Sequence, residues 1–157
     1  MSPITQTLET IGETKSRVAE ARILIVCDDD SDAERLKTIF LEAGLISERA
    51  KSMTVASESA KSGRFQVVVA TPLLSDGSWR RLIDVANHYN LDFVVILLAR
   101  SFDLRQWAEA LMDGAFDVLD VLNDLPKAAD VAKRAWEAAE LKRRRPKRLA
   151  AKKQCRS

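Results

Sequence analysis

Three runs of apolar residues, almost without polar alternation, constrain this chain more than any other feature. They are Ile23-Leu24-Ile25-Val26-Cys27, Phe65-Gln66-Val67-Val68-Val69-Ala70-Thr71 and Phe93-Val94-Val95-Ile96-Leu97-Leu98-Ala99. A strand with one wet face alternates apolar and polar residues. A short Val- and Ile-rich run that does not alternate reads as a strand covered on both faces.

The segments between these runs carry a different period. Ala33, Leu36, Ile39, Phe40 and Ala43 recur at helical spacing, and Gly44 stops that helix. Leu45 to Met53 leaves room for a short strand around Ile46, and Val55 to Lys61 for a helix closed by Ser62-Gly63. A loop from Pro72 to Gly77 leads to Ser78, which is placed to cap a helix with Leu82, Ile83, Val85 and Ala86 on its apolar side. Leu104 to Met112 reads as a helix with Trp107, Ala108 and Leu111 turned inward, stopped by Asp113-Gly114. Phe116 to Leu122 is the last strand, and Leu125 to Arg145 a long helix with Val131, Ala135, Ala138 and Ala139 on one side.

Strands and helices therefore alternate five times. Short connections and doubly buried strands predict an α/β fold, a doubly wound five-stranded parallel sheet flanked by helices. In open sheets of this kind ligands meet the carboxyl ends of the strands. The segments to question are Cys27–Asp30, Thr71–Ser75, Leu98–Ser101 and Val121–Leu122.

Composition removes several classes. With 46% hydrophobic and 31% charged residues, and only 5 Gly and 4 Pro in 157, the chain is neither collagen-like, low-complexity nor wholly disordered. Its longest uninterrupted apolar run, Phe93 to Ala99, is far short of the ~20 residues that cross a bilayer. Residues 1–21 are a polar leader with Ile4, Leu8, Ile11 and Val18 at near-helical spacing, and lack the pattern of a secretory signal. Cys27 and Cys155 form no disulfide framework, so the expected setting is cytoplasmic with reduced thiols. Charge is unevenly spread. All 23 acids lie at or before Glu140 against 16 basic residues, whereas the segment from Lys142 onward holds nine Lys and Arg and no acid.

From Arg22 to Arg144 the sequence resembles the receiver domain of bacterial two-component response regulators. Arg22-Ile-Leu-Ile-Val-Cys-Asp-Asp-Asp is similar to the family's opening strand and acidic pair. Phe65 to Ser78 is similar to the strand that ends in the phosphoacceptor aspartate, followed by a Pro-Asp-Gly loop. Val94 to Ala99 is similar to the strand bearing the switch hydroxyl, and Asp103 through Gly114-Ala115-Phe116-Asp117-Val118-Leu119 to the alanine-rich helix and the strand after it. The resemblance implies a flavodoxin-like fold with three parts: a leader (1–21), a receiver-like domain (22–144) and a basic tail (145–157).

It also implies a chemistry that can be checked position by position. A working receiver holds Mg²⁺ with hard carboxylate oxygens, forms an acyl phosphate on an aspartate, and binds the phosphoryl oxygens with a hydroxyl and a lysine. The phosphoacceptor position falls on Thr71, whose hydroxyl is too weak an acid to attack unaided. The first metal-binding acid falls on Cys27, or, with a slip of one residue, the pair becomes Asp28 and Asp29. The switch hydroxyl falls on Leu98 and the lysine on Val121. Asp28 and Asp29 remain as metal candidates, and with ligands from other elements gone they are expected to bind Mg²⁺ weakly if at all. The expectation is an abandoned phosphorylation pocket with no catalytic residue, no other cofactor and no cationic clamp.

Other residues admit plainer readings. Cys27 is a nucleophile candidate, or a small apolar filler at a buried strand end. The run Asp28–Asp32 is a cation site or the acid-rich start of a helix. Asp76-Gly77 is turn chemistry, with Asp76 and Asp28 kept as unorthodox phosphoacceptors. The one histidine, His88, is set at a helix end away from the strand tips. Trp107 and Trp136 would lie on the face of the fourth helix, fifth strand and fifth helix that receivers use for partners and dimers; each is a docking anchor or ordinary packing. Arg143, Arg144, Arg145, Lys147 and Arg148 form a solvated extension, a non-specific nucleic-acid contact, or a pairing with acidic protein surface. The function expected is protein interaction in signalling without aspartate phosphorylation, with homodimerisation open, and the alternative is a nucleic-acid-associated regulator.

Overall fold

The β-branched runs become the centre of a sheet in the computed structural model of the protein, which describes residues 22–100 and 104–144. Five strands form it: β1 (Arg22–Val26), β2 (Ser47–Ala50), β3 (Phe65–Ala70), β6 (Val94–Ala99) and β7 (Ala115–Asp120). All neighbours are parallel and the order is β2-β1-β3-β6-β7. A second sheet is a two-residue ribbon, β4 (Leu73–Leu74) paired antiparallel with β5 (Gly77–Ser78). It occupies the stretch expected to be a plain loop. Asp76 in its turn finds partners at the start of the preceding helix, Met53–Ala60, which holds the ribbon down.

The helices are α1 (Asp30–Glu42), α2 (Met53–Ala60), α3 (Arg80–His88), α4 (Leu104–Met112) and α5 (Ala128–Arg144), the last entered through a 3₁₀ turn at Leu125–Lys127. That turn, with Pro126 inside it, delays the α-helix by three residues relative to the sequence reading. The leader 1–21 and the tail 145–157, with Arg145, Lys147, Arg148 and Cys155, lie outside the described residues. Arg143 and Arg144 are the exposed last residues of α5.

Side chains of a strand alternate between faces, so each central strand feeds two cores. Leu24, Val26, Val68, Ala70, Val95 and Leu97 pack with α2, α3 and α4. Ile23, Ile25, Val67, Val69, Ile96 and Leu98 pack with α1 and α5, where Leu36 and Phe40 are fully covered. Local chemistry sets the helix ends. Asp29 caps α1 by accepting the Asp32 N–H at 2.9 Å, and Gly44, at φ +81°, ends it in the left-handed region. Ser52 caps α2 by accepting the Val55 N–H at 3.1 Å.

Two helix expectations are corrected. Trp79, not Ser78, occupies the cap position of α3, although the Ser78 hydroxyl accepts the Arg80 N–H at 3.1 Å. On α4 the buried residue is Ala110. Trp107 and Ala108 are exposed and Leu111 is half-buried. The helical period located an apolar side but not its direction. Leu104 and Met112, at 81% and 86% exposure, leave α4 with little apolar area against the sheet.

Candidate functional site

Register brings the four strand ends level. Val26 pairs with Ala70 and Ala70 with Leu97, so Cys27, Thr71 and Leu98 follow in one row. The Thr71 N–H donates to the Val26 carbonyl at 2.9 Å, and the Val121 N–H to the Ala99 carbonyl at 2.8 Å. By alternation these residues share the face covered by α1 and α5. Between them runs a groove of about 460 Å³ lined by Cys27, Asp28, Asp29, Thr71, Leu98 and Val121. Residues from four strand ends thus meet in one place, although they span 95 positions of sequence.

The groove also holds a cation that the sequence reading did not place there. Arg100 reaches across it and donates from Nη2 to the Asp32 carboxylate at 2.5 Å, with the Asp29 carboxylate 3.6 Å away. Arg100 follows Leu98 by two positions, so an extended chain directs it to the same side of the sheet, toward α1. Asp32 is 6% exposed in the first turn of α1, and Arg35 approaches its other oxygen at 3.9 Å. The sequence signal for this pairing was present, a basic residue just past an apolar strand beside an acid-rich helix start. It lacked the register that joins them.

Each acid of the run has a distinct place. Asp28 is exposed at the groove mouth. Asp29 is the cap of α1. Asp30 accepts from Arg49 Nη1 at 2.6 Å, and that hydrogen bond, with the charges of Arg49 and Lys51, holds its carboxyl below the usual range. Arg49 also donates from Nε to the Cys27 carbonyl at 3.1 Å, tying β2 to the end of β1. The Cys27 thiol is buried and donates to the Asp29 carbonyl at 3.5 Å. This is the packing role for Cys27 rather than an exposed thiolate.

Mg²⁺, which the receiver resemblance implies, needs several hard oxygens in near-octahedral array. Here Cys27 supplies sulfur, Asp29 is engaged with a backbone N–H and Asp32 with a guanidinium. Among the described residues no group of three His, Cys, Asp or Glu side chains is arranged to hold a metal ion. The residues present do not fit the ion.

Asp76 lies apart from the groove. Its carboxylate accepts the Met53 and Thr54 N–H groups, each at 2.8 Å, at the start of α2. Hydrogen bonds from the Thr54 side chain and these two amides lower its pKa to about 2. His88 is exposed at the end of α3 and stacks edge-on with Tyr89, away from the strand tips. Trp107 lines a second groove, about 310 Å³, between α3 and α4, with Trp79, Leu97 and Val118. Trp136 is half-buried against the core on the opposite face, so the two indoles do not form one surface. No helix among the described residues is long and apolar enough to cross a membrane.

No family model matches the chain, and no curated protein matches it by sequence. Solved structures do. The receiver domain of Francisella response regulator 1452 is 20% identical, with a TM-score of 0.68 over 74% of this chain and 97% of that one. The beryllofluoride-activated receiver domain dimer of NtrC4 is 26% identical, with a TM-score of 0.68 over 76% and 98%. The chemotaxis protein CheY4 of Vibrio cholerae is 19% identical, with a TM-score of 0.65 over 73% and 98%. The chain has the fold of response-regulator receiver domains.

Proposed function

We propose that this protein is a receiver-like signalling module of the two-component type that acts by protein docking, without aspartate phosphorylation and without enzymatic activity of its own. The observation that carries this reading is Thr71 at the end of β3, level with Cys27 and Leu98. The position that would need a carboxylate nucleophile holds a neutral hydroxyl. Leu98 and Val121, both buried, stand where a phosphoryl group would need a hydroxyl and an ammonium. Phosphate then has no differential grip on two states, and a ligand without differential affinity shifts no equilibrium. The domain offers one preset surface in its place. Partners are proteins of a signalling pathway, and a second copy is among them, as the NtrC4 receiver dimer illustrates for that protein. A cytoplasmic location accords with this role.

Incubation of the full chain with acetyl phosphate and Mg²⁺, followed by intact mass, tests the reading. No gain of mass is expected. One added phosphoryl group, abolished by Asp28→Asn or Asp76→Asn, overturns it.

A second reading rests on the basic segment that begins in the last turn of α5 with Lys142, Arg143 and Arg144. Nine cations without an acid suit a phosphate backbone and release counterions on binding it. Anisotropy of a labelled duplex against salt separates the readings. Binding at low salt that falls steeply as salt rises, and disappears on removal of residues 145–157, favours nucleic acid; absence of binding at low salt removes it.

A further inference from the structure

We infer that Arg100 is the resident counter-cation of the acidic groove, standing where a receiver would hold a divalent metal and making the strand ends independent of Mg²⁺. Three carboxylates, Asp28, Asp29 and Asp32, line the groove where the end of β1 meets the start of α1. Like charges sharing one groove disfavour one another, and a nearly buried carboxylate such as Asp32 needs a partner. Arg100 supplies it within the chain, in direct contact with Asp32 and 3.6 Å from Asp29.

Geometry makes the guanidinium and a metal ion mutually exclusive. A divalent ion bridging Asp29 and Asp32 would need the space that Arg100 Nη2 takes between their Oδ2 atoms. The tethered cation is also present at an effective concentration of roughly millimolar or above, whatever the solution contains. Asp29 Oδ1 is further committed to the Asp32 N–H, and Asp28 stands exposed at the groove mouth. Cys27 completes the change, since its thiol offers a hard ion nothing. The groove thus carries its ion in covalent form, and the arrangement of β1, α1 and β6 at this end does not follow metal concentration.

This inference rests on reading the groove as a former acyl-phosphate site, but its test follows cations and not phosphate. Thermal unfolding of the full chain is compared in about 10 mM Mg²⁺ and in NaCl of equal ionic strength, with Mn²⁺ as a second probe. The unaltered protein is expected to show the same Tm in both. Arg100→Gln, which keeps polarity and removes the charge, is expected to gain a Mg²⁺-dependent Tm rise of about 3 °C or more, lost again when Asp32→Asn is added. Arg100→Lys, which keeps the charge, is expected to gain none.

If Arg100→Gln does not fold, the unaltered protein still decides. Its Arg100 Nε resonance is expected not to move when Mg²⁺ is added. A Mg²⁺-dependent rise in the Tm of the unaltered protein that Asp28→Asn abolishes, or displacement of the Arg100 resonance by the ion, overturns the inference. So does a folded Arg100→Gln that gains no cation response. None of these results bears on phosphoryl transfer, which the mass measurement reads separately.

Discussion

Arg100 and Asp32 stand 68 positions apart in the chain and 2.5 Å apart across the groove. One lies just past the end of β6 and the other in the first turn of α1, which covers the same face of the sheet. Their pairing fastens β6 to α1 at the end of the sheet where receivers do their chemistry.

That contact should be measurable. A cycle of Arg100→Ala, Asp32→Ala and the double substitution is expected to give a coupling of about 1 kcal/mol, since Arg100 is half exposed and water screens part of the attraction. Additive single effects in urea unfolding would show that the pair contributes no joint stability.

Asp76 ties the small ribbon to α2, and its carboxyl is held at a pKa of about 2. A depressed pKa means the native state prefers the ionised form, so its stabilising effect is complete above the ordinary value of 3.8 and fades as pH falls toward 2. Asp76→Ala is therefore expected to lower Tm at neutral pH, by an amount that shrinks between pH 4 and 2. A gap between the two proteins that stayed constant over that range would contradict the assignment.

Thr71→Asp puts a carboxylate back at the end of β3. Leu98 and Val121 remain apolar and Arg100 remains bound to the acids, so the new group gains neither a metal nor a phosphoryl clamp. The variant is expected to take up no phosphoryl group from acetyl phosphate and to melt below the parent, because it adds a fourth acid to the groove. Uptake seen by intact mass would mean that a single residue had disabled the pocket.

Gly114 joins α4 to β7 at φ +116°, a conformation L-residues rarely adopt, and a Cβ there would meet Ile83 Cδ1 at 3.4 Å. Gly114→Ala is expected to cost about 1–2 kcal/mol of unfolding free energy. Unchanged stability in urea would show that the turn relaxes without strain.

Much of this architecture is legible in the sequence. Unalternating Val- and Ile-rich runs can satisfy themselves only inside a covered sheet, and helical spacing between them forces parallel crossovers. Gly44 and Gly114 marked helix ends because left-handed backbone strongly favours glycine. The short ribbon at Leu73–Ser78 was not legible, since two-residue strands carry no period. Nor was the orientation of α4. Its apolar residues do not all find the sheet, and which of them do depends on how closely the helix approaches.

The sequence by itself determined the fold class, the strand ends that line the groove, and the chemical identity of Cys27, Thr71, Leu98 and Val121 there. These follow from local spacing and side-chain chemistry. Tertiary structure alone decided that Arg100 meets Asp32, that Asp29 serves as a cap, and that Asp76 anchors α2. Such pairings depend on strand register and on the side of the sheet each helix covers. Those are set by the packing of the whole core, and no stretch of sequence records them.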